Sequence, residues 1–514
     1  MMSRKTRTIL ALAIVAAFVG YKTLAPKPGT VAVEKTVSGD SAPAAAAVKP
    51  RMLGSIAFKP CSLSSLLTKS SLEAQCATFS VPEDRSKPDG RKLALNLAWL
   101  PPSTESDAAP DPVLFLAGGP GQSAVDTYPA LDPVFEEVRK RRHVLLVDQR
   151  GTGKSNLLSC KAEDDDTDTS PAAMAAAAAT CAATLSAKAD LRQYTTTAAV
   201  ADLEAVRQAI GAAQVNLVGV SYGTRVAQQY AMRHPQATRS IVLDSVVPNT
   251  VKLGNIFARN LDDALALQFA LCSKAAACKG KLGDPRAALD ALLARLRAAP
   301  VTVQYRDAST GEQTEGVLTA DTVAGLVRMY AYMPAAGALL PKLIHEASNG
   351  RYAGLMALAR MMQGDMQESM ALGMQLSVIC SEDGDSMLVR EEDAGTVLGN
   401  QMPIGMAAMC QAWPKGTVPA DFNKALATKV PALVLEGEFD PVTPPRYGED
   451  VVKSLPNGRL FVLRGQGHNV IGAGCMPKLF TQFIEKADAK ALDGTCLDQL
   501  NYVAPFTSFN GWEP

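Results

Sequence analysis

Hydrophobic positions along this chain fall into two rhythms. From about residue 74, short apolar runs alternate with turn or helical stretches. Lys92 to Leu100 alternates apolar and polar in the manner of a half-buried strand. Val113–Leu116, Val144–Val147 and Val215–Val220 are near-continuous apolar runs, as expected of parallel strands covered on both faces. Thr195 to Ile210 has helical spacing, with threonines available as N-cap and Gly211 as a stop. A further strand, Ser240 to Asp244, follows the helix predicted after Ser221. After Pro248 the rhythm becomes helical: Ile256–Cys272, Pro285–Ala298, Ala320–Ala347 and Leu355–Met362. Strand rhythm returns at Ala432–Leu435 and Leu460–Leu463. Strands alternating with helices predict an α/β fold with a mostly parallel, doubly wound sheet. The helical block predicts a cap inserted between core strands, over the strand ends where such sheets bind ligands. The expected organisation is core over 51–250 and 425–514, with the cap over 251–424.

The first 50 residues read differently. Arg4, Lys5 and Arg7 precede an apolar run from Ile9 to Gly20, shorter than the roughly 20 residues needed to span a bilayer. This has the form of an export signal over 1–25, with no clear cleavage site and an uncleaved anchor still open. Residues 26–50, rich in Ala, Pro, Val and Lys, read as a linker.

The ten cysteines extend that picture. None has the C-x-x-C spacing of a zinc site. Ten free thiols would be unusual in an exported protein, so disulfides are expected. Taken in order they pair Cys61 with Cys76, Cys160 with Cys181, Cys272 with Cys278, Cys380 with Cys410, and Cys475 with Cys496, although sequence order does not fix connectivity. A periplasmic or secreted location follows. The 51 basic and 51 acidic residues cancel, so no global field favours nucleic acid. A membrane role rests on the N-terminal segment alone.

The strongest chemical signal is Gly219-Val220-Ser221-Tyr222-Gly223 directly after a predicted strand. A tight strand-to-helix turn requires glycine at both flanks and lifts the serine hydroxyl above the sheet at a helix start. A hydroxyl nucleophile needs a base, and there are four histidines. His143 opens a strand, His234 closes a helix and His345 lies within one. His468, in the turn Gly465-Gln466-Gly467-His468 after a strand, is the candidate. An acid is expected between serine and histidine in this arrangement. Asp440, at the end of Leu433–Asp440, is preferred over Glu436 and Glu438 because it reaches furthest into the loop. Two backbone N–H groups would hold a developing oxyanion: that of Tyr222, and that of Gly119 in Ala117-Gly118-Gly119-Pro120-Gly121, where the plain alternative is an ordinary Gly-Pro turn. Gly151-Thr152-Gly153-Lys154-Ser155 ends like a phosphate-binding loop, but Asp148 stands where the pattern needs glycine. The acidic run Glu163–Asp168 lacks calcium-loop spacing. No metal or organic cofactor is implied. Met356, Met361, Met362, Met366, Met370 and Met374 suit either a core or an adaptable pocket.

These motifs together resemble the proline iminopeptidase and tripeptidyl aminopeptidase branch of the α/β-hydrolases. The matching pieces are Gly118–Gly121, Asp148–Gly153, Gly219–Thr224, Cys380–Asp383, Cys410–Pro414, Gly437–Asp440 and Gly467-His468, in family order across about residues 60 to 500. Ala117 departs from it where many relatives carry histidine. The resemblance implies a serine exopeptidase acting on peptides with a free N-terminus, whose α-ammonium would meet Glu382 and Asp383 on a loop pinned by a Cys380–Cys410 bridge. The same triad on a carboxylesterase, or a catalytically dead hydrolase-like binding module, are the alternatives. The complete Ser, Asp and His set argues against the second.

Overall fold

The chain enters its sheet antiparallel and leaves it parallel. The computed structural model describes residues 49–65, 71–160, 170–308 and 310–511. The export segment, the linker to residue 48, the acidic run 163–168 and the Met366 side chain lie outside the described residues. Strands β1 (Arg51–Leu53), β2 (Ile56–Ser64), β3 (Ser71–Pro82) and β4 (Lys92–Leu100) form an antiparallel meander. They are followed by β5 (Val113–Leu116), β6 (Val144–Val147), β7 (Val215–Val220) and β8 (Thr238–Asp244). A separate antiparallel hairpin, β9 (Val301–Arg306) with β10 (Gln313–Leu318), precedes the final core strands β11 (Ala432–Gly437) and β12 (Gly458–Leu463). The ten-stranded sheet has the order β1-β2-β3-β4-β6-β5-β7-β8-β11-β12. From β6 to β12 every pairing within it is parallel.

Why the central runs are apolar throughout is visible in their packing. Alternate residues enter different cores: Leu217 of β7 and Val434 of β11 join one hydrophobic cluster, while Val218 and Leu435 join the other. Helices cover both faces, so neither set of side chains meets water and no polar alternation is needed. The helix Thr196–Ala209 is capped by the Thr195 hydroxyl, which accepts from the Ala198 N–H.

Residues 257–369, joined by Val397, bury a third core that runs from Leu261 and Phe269 to Met356. Its helices are Phe257–Lys274, Pro285–Ala298, Ala320–Ala331, Pro334–Ser348 and Ala353–Ser369. Two features correct the sequence reading. The β9–β10 hairpin interrupts the helical block: β9 turns Val303 and Tyr305 inward and exposes Thr302, Gln304 and Arg306. The helix expected over 320–347 breaks at Tyr332-Met333, because Met333 precedes Pro334 and takes extended backbone. Five disulfides join Cys61–Cys76, Cys160–Cys181, Cys272–Cys278, Cys380–Cys410 and Cys475–Cys496, leaving no free thiol. No described helix is long and apolar enough to cross a membrane.

Candidate active site

Ser221 follows β7 and opens the helix Tyr222–Arg233 with φ 56° and ψ −125°. For a residue with a Cβ this left-handed backbone is strained and persists only when the surroundings enforce it. They do. Ser221 N–H donates to the Asp244 carbonyl at 2.9 Å. Its own carbonyl accepts from Thr224 N and Thr224 Oγ1, at 2.9 and 2.6 Å. The flanking glycines are sterically required. A Cβ on Gly219 would lie 2.4 Å from the Gly223 carbonyl oxygen, and one on Gly223 would lie 2.1 Å from that of Leu116.

Asp440 and His468 meet after β11 and β12. His468 Nδ1 is 2.7 Å from Asp440 Oδ2. With Nδ1 protonated and donating, Nε2 is left free to act as a base. Asp440 Oδ1 accepts from the N–H groups of Val442 and Thr443, each at 2.8 Å, and Thr443 Oγ1 donates to Oδ2 at 2.8 Å. These bonds fix the carboxylate so that it in turn fixes the ring. The other two carboxylates of the segment face elsewhere. Glu438 accepts from Gly465 N–H at 2.7 Å. Glu436 is fully buried, and burial followed by the charge of Asp440 raises it well above the usual carboxylate range.

Among the described residues no hydrogen bond joins Ser221 Oγ to His468. The link between them runs through the end of β8. There the Asp244 carboxylate accepts from Val470 N–H and Ile471 N–H, and Ser245 Oγ from Asn469 N–H. The strand ends share one edge, with Val220 beside Asp244 and Asp244 beside Leu435 in register.

The loop after β5 lies against Ser221: a Cβ on Gly118 would come within 3.1 Å of Ser221 Cβ. Gly119 has φ +107°. Neither the Gly119 nor the Tyr222 amide donates to another group among the described residues, so both are available to an oxyanion at a helix start. Asp148 organises this side. It accepts from Ser123 Oγ, Val125 N–H, Asn96 Nδ2 and Lys154 N–H. Arg150, fully buried, forks onto Asp202 and donates to the carbonyls of Glu83 and Gln193. The Asp148–Gly153 motif is therefore scaffold for the loop.

Two of the contacts from the segment 251–424 to this site bear on the imidazole and on the Gly119 loop. Tyr332 carbonyl accepts His468 N–H at 2.9 Å, and the Tyr332 ring stands edge-on to the imidazole with centroids 5.0 Å apart. On the opposite side Ala371 N–H donates to the Gly121 carbonyl at 3.0 Å, and Met370 Sδ would lie 3.1 Å from a Cβ on Gly119. Neither contact was visible in the sequence.

Glu382 and Asp383 correct an expectation. They are not an open pair on a loop but end the helix Leu372–Glu382 in the interior, 5% and 1% exposed. Asp383 forms a fully buried ion pair with Arg225 at 2.8 Å and accepts from Leu253 N–H. Glu382 accepts from Thr196 N–H and Thr196 Oγ1, and burial pushes it up to about 7. Both carboxyl groups are thus engaged by partners inside the protein rather than displayed on an open loop. Among the described residues no group of three His, Cys, Asp or Glu could hold a metal ion.

A strained serine at a strand-to-helix turn, with a carboxylate-held imidazole on the same carboxyl edge of a parallel sheet, defines a serine hydrolase site. Residues 111–472 match the family model of the alpha/beta hydrolase fold, and the chain belongs to that family. Its relatives include serine peptidases. It is 25% identical over 480 residues to serine protease Hip1 of Mycobacterium tuberculosis, covering 85% of this chain and 90% of that one. It is 28% identical over 251 residues to the tripeptidyl aminopeptidase of Streptomyces lividans, covering 44% and 46%. The solved proline iminopeptidase of Mycobacterium smegmatis overlays 81% of this chain and all of its own, at 16% identity and a TM-score of 0.39.

Proposed function

We propose that this protein is an exported serine exopeptidase that cleaves peptides near a free N-terminus through an acyl-enzyme on Ser221. The observation that carries the reading is the Asp440–His468 pair on the same sheet edge as the strained Ser221. Nε2 of His468 takes the hydroxyl proton as Ser221 attacks the carbonyl, then returns it to the leaving amine. Asp440 holds the tautomer and stabilises the imidazolium without taking the proton. The amides of Gly119 and Tyr222 receive the oxyanion. Water, deprotonated by the same imidazole, then releases the acyl group. The peptidase character and the free N-terminus draw support from the serine protease and tripeptidyl aminopeptidase relatives, and export from the five disulfides. The α-ammonium has no assigned partner.

Aminoacyl and tripeptidyl anilides, their N-acetylated forms and nitrophenyl esters separate the readings. The exopeptidase should lose most activity on acetylation. Equal rates on acetylated and free substrates, with esters preferred, would make it a carboxylesterase with the same triad. Ser221→Ala should abolish turnover of all three, and turnover that survives would end the nucleophile assignment.

A further inference from the structure

Three non-glycine residues at this site share an uncommon backbone. Among the described residues, only Asn156, Ser221, Ser245, Asn469 and Ala487 combine a side chain with positive φ. Ser221 is the nucleophile of the reading above. Ser245 (φ 60°) immediately follows β8, and Asn469 (φ 67°) immediately follows His468. Such strain persists where surrounding bonds over-determine it, and it gathers at functional sites.

The bonds that enforce it converge on two residues. Asp244 and Ser245 are both fully buried at the end of β8. Asn469 N–H donates to Ser245 Oγ at 2.8 Å, Val470 N–H to Asp244 Oδ1 at 2.8 Å, and Ile471 N–H to Asp244 Oδ2 at 3.1 Å. Three successive amides after the base are thus taken by two adjacent side chains. The backbone of the same two residues faces the other way: Asp244 carbonyl accepts Ser221 N–H at 2.9 Å, and Ser245 N–H donates to Leu435 of β11 at 2.8 Å. Since Ser221 and His468 share no direct hydrogen bond, their separation is set through this junction.

We infer that Asp244 and Ser245 are positioning residues which hold the His468 loop in register with the Ser221 turn, so that removing them slows chemistry rather than binding. The inference rests on the catalytic roles proposed for Ser221 and His468. A carboxylate suits the task because its two oxygens accept several N–H bonds at once, which a neutral amide cannot do without turning a donor toward donors. The titratable groups facing it are His468, Asp440 and Glu436. Burial, opposed by the bonds from Val470 and Ile471, pushes Asp244 up to about 6. Below that pH one acceptor oxygen carries a proton, so the clamp loosens in acid.

The test uses the full chain and the rate at which a fluorophosphonate labels Ser221, which needs no knowledge of the substrate. Asp244→Asn should label about 100-fold more slowly and Ser245→Ala about tenfold more slowly, the range expected of a displaced catalytic group. KM for a nitrophenyl ester should stay within about threefold. The acid limb of the labelling rate should show two protonations in the wild type and in Ser245→Ala, but one in Asp244→Asn; loss of folding alone would not change that number. If Asp244→Asn fails to fold, Ser245→Ala carries the test through its rate. Rates within threefold of wild type, or slowing that only tracks the unfolded fraction by circular dichroism, would overturn the clamp. Should His468→Ala also label at the wild-type rate, the catalytic reading itself falls. An inactive His468→Ala beside unaffected clamp variants refutes the clamp alone.

Discussion

Gly467→Ala tests the coupling between the base and the segment above it. A Cβ built on Gly467 would lie 2.1 Å from the Tyr332 carbonyl oxygen and 2.9 Å from its carbon. Ordinary contact distances are about 3.5 Å or more, so the added methyl forces a displacement on the order of 1 Å. Both atoms it meets are backbone, and that carbonyl is the acceptor of His468 N–H, so neither side yields without moving the imidazole. Overpacking of this kind costs about 1–3 kcal/mol, while an ångström of misplacement at a catalytic group lowers kcat about 100-fold. Nitrophenyl ester hydrolysis and fluorophosphonate labelling measure the loss, and thermal melting measures the stability. Gly354→Ala, where a Cβ meets nothing within 4 Å, is the control and should behave as wild type. If Gly467→Ala keeps kcat within threefold of wild type, the Tyr332 contact does not constrain the base.

Glu382 gives a pH signature. Its buried carboxyl is raised from 4.5 to about 7, so the folded state holds a proton that the unfolded chain releases, and stability falls as pH rises from about 4.5 to 7. Glu382→Gln removes that penalty, up to about 3 kcal/mol above pH 7; its melting advantage should be small at pH 5 and grow by pH 8, and a constant difference would refute the sign. Arg150→Met strips Asp202 of its forked partner and leaves buried carbonyls without donors, with an expected loss of about 3–5 kcal/mol in urea unfolding. A loss below 1 kcal/mol would show the network to be replaceable. Gly119→Ala puts a Cβ 2.6 Å from Gly121 N at φ +107° and should cut turnover about 100-fold while the melting temperature stays within a few degrees. Unchanged turnover would remove Gly119 from the oxyanion site.

Periodicity revealed the parallel core because strands buried on both faces are written as unbroken apolar runs, as in β5, β6 and β7. The Ser221 turn was equally legible, since the tight strand-to-helix geometry itself demands glycine at both flanks, whichever backbone each would strike. Other features answer to distance. Glu382 and Asp383 look like a hydrophilic turn until their partners, Thr196 and Arg225, are seen to lie 186 and 158 residues away. Tyr332 has no local mark of its contact with His468, and Pro334, which ends the helix beside it, was read through as part of one helix over 320–347. The alternation in Val301–Arg306 was present in the sequence but was submerged between helical stretches. Asp244, a charge closing an apolar strand, was a signal of the same kind.

The five disulfides each close a short span, the longest separating its cysteines by 30 residues. Cys272–Cys278 and Cys380–Cys410 lie wholly within residues 251–424, and the other three lie wholly outside them. Oxidation therefore toughens the two regions one at a time and never rivets one to the other. Apart from the chain itself at its two ends, the block 251–424 is joined to the rest by non-covalent contacts only, so its packing against the Ser221 edge stays adjustable while each region is hardened from within.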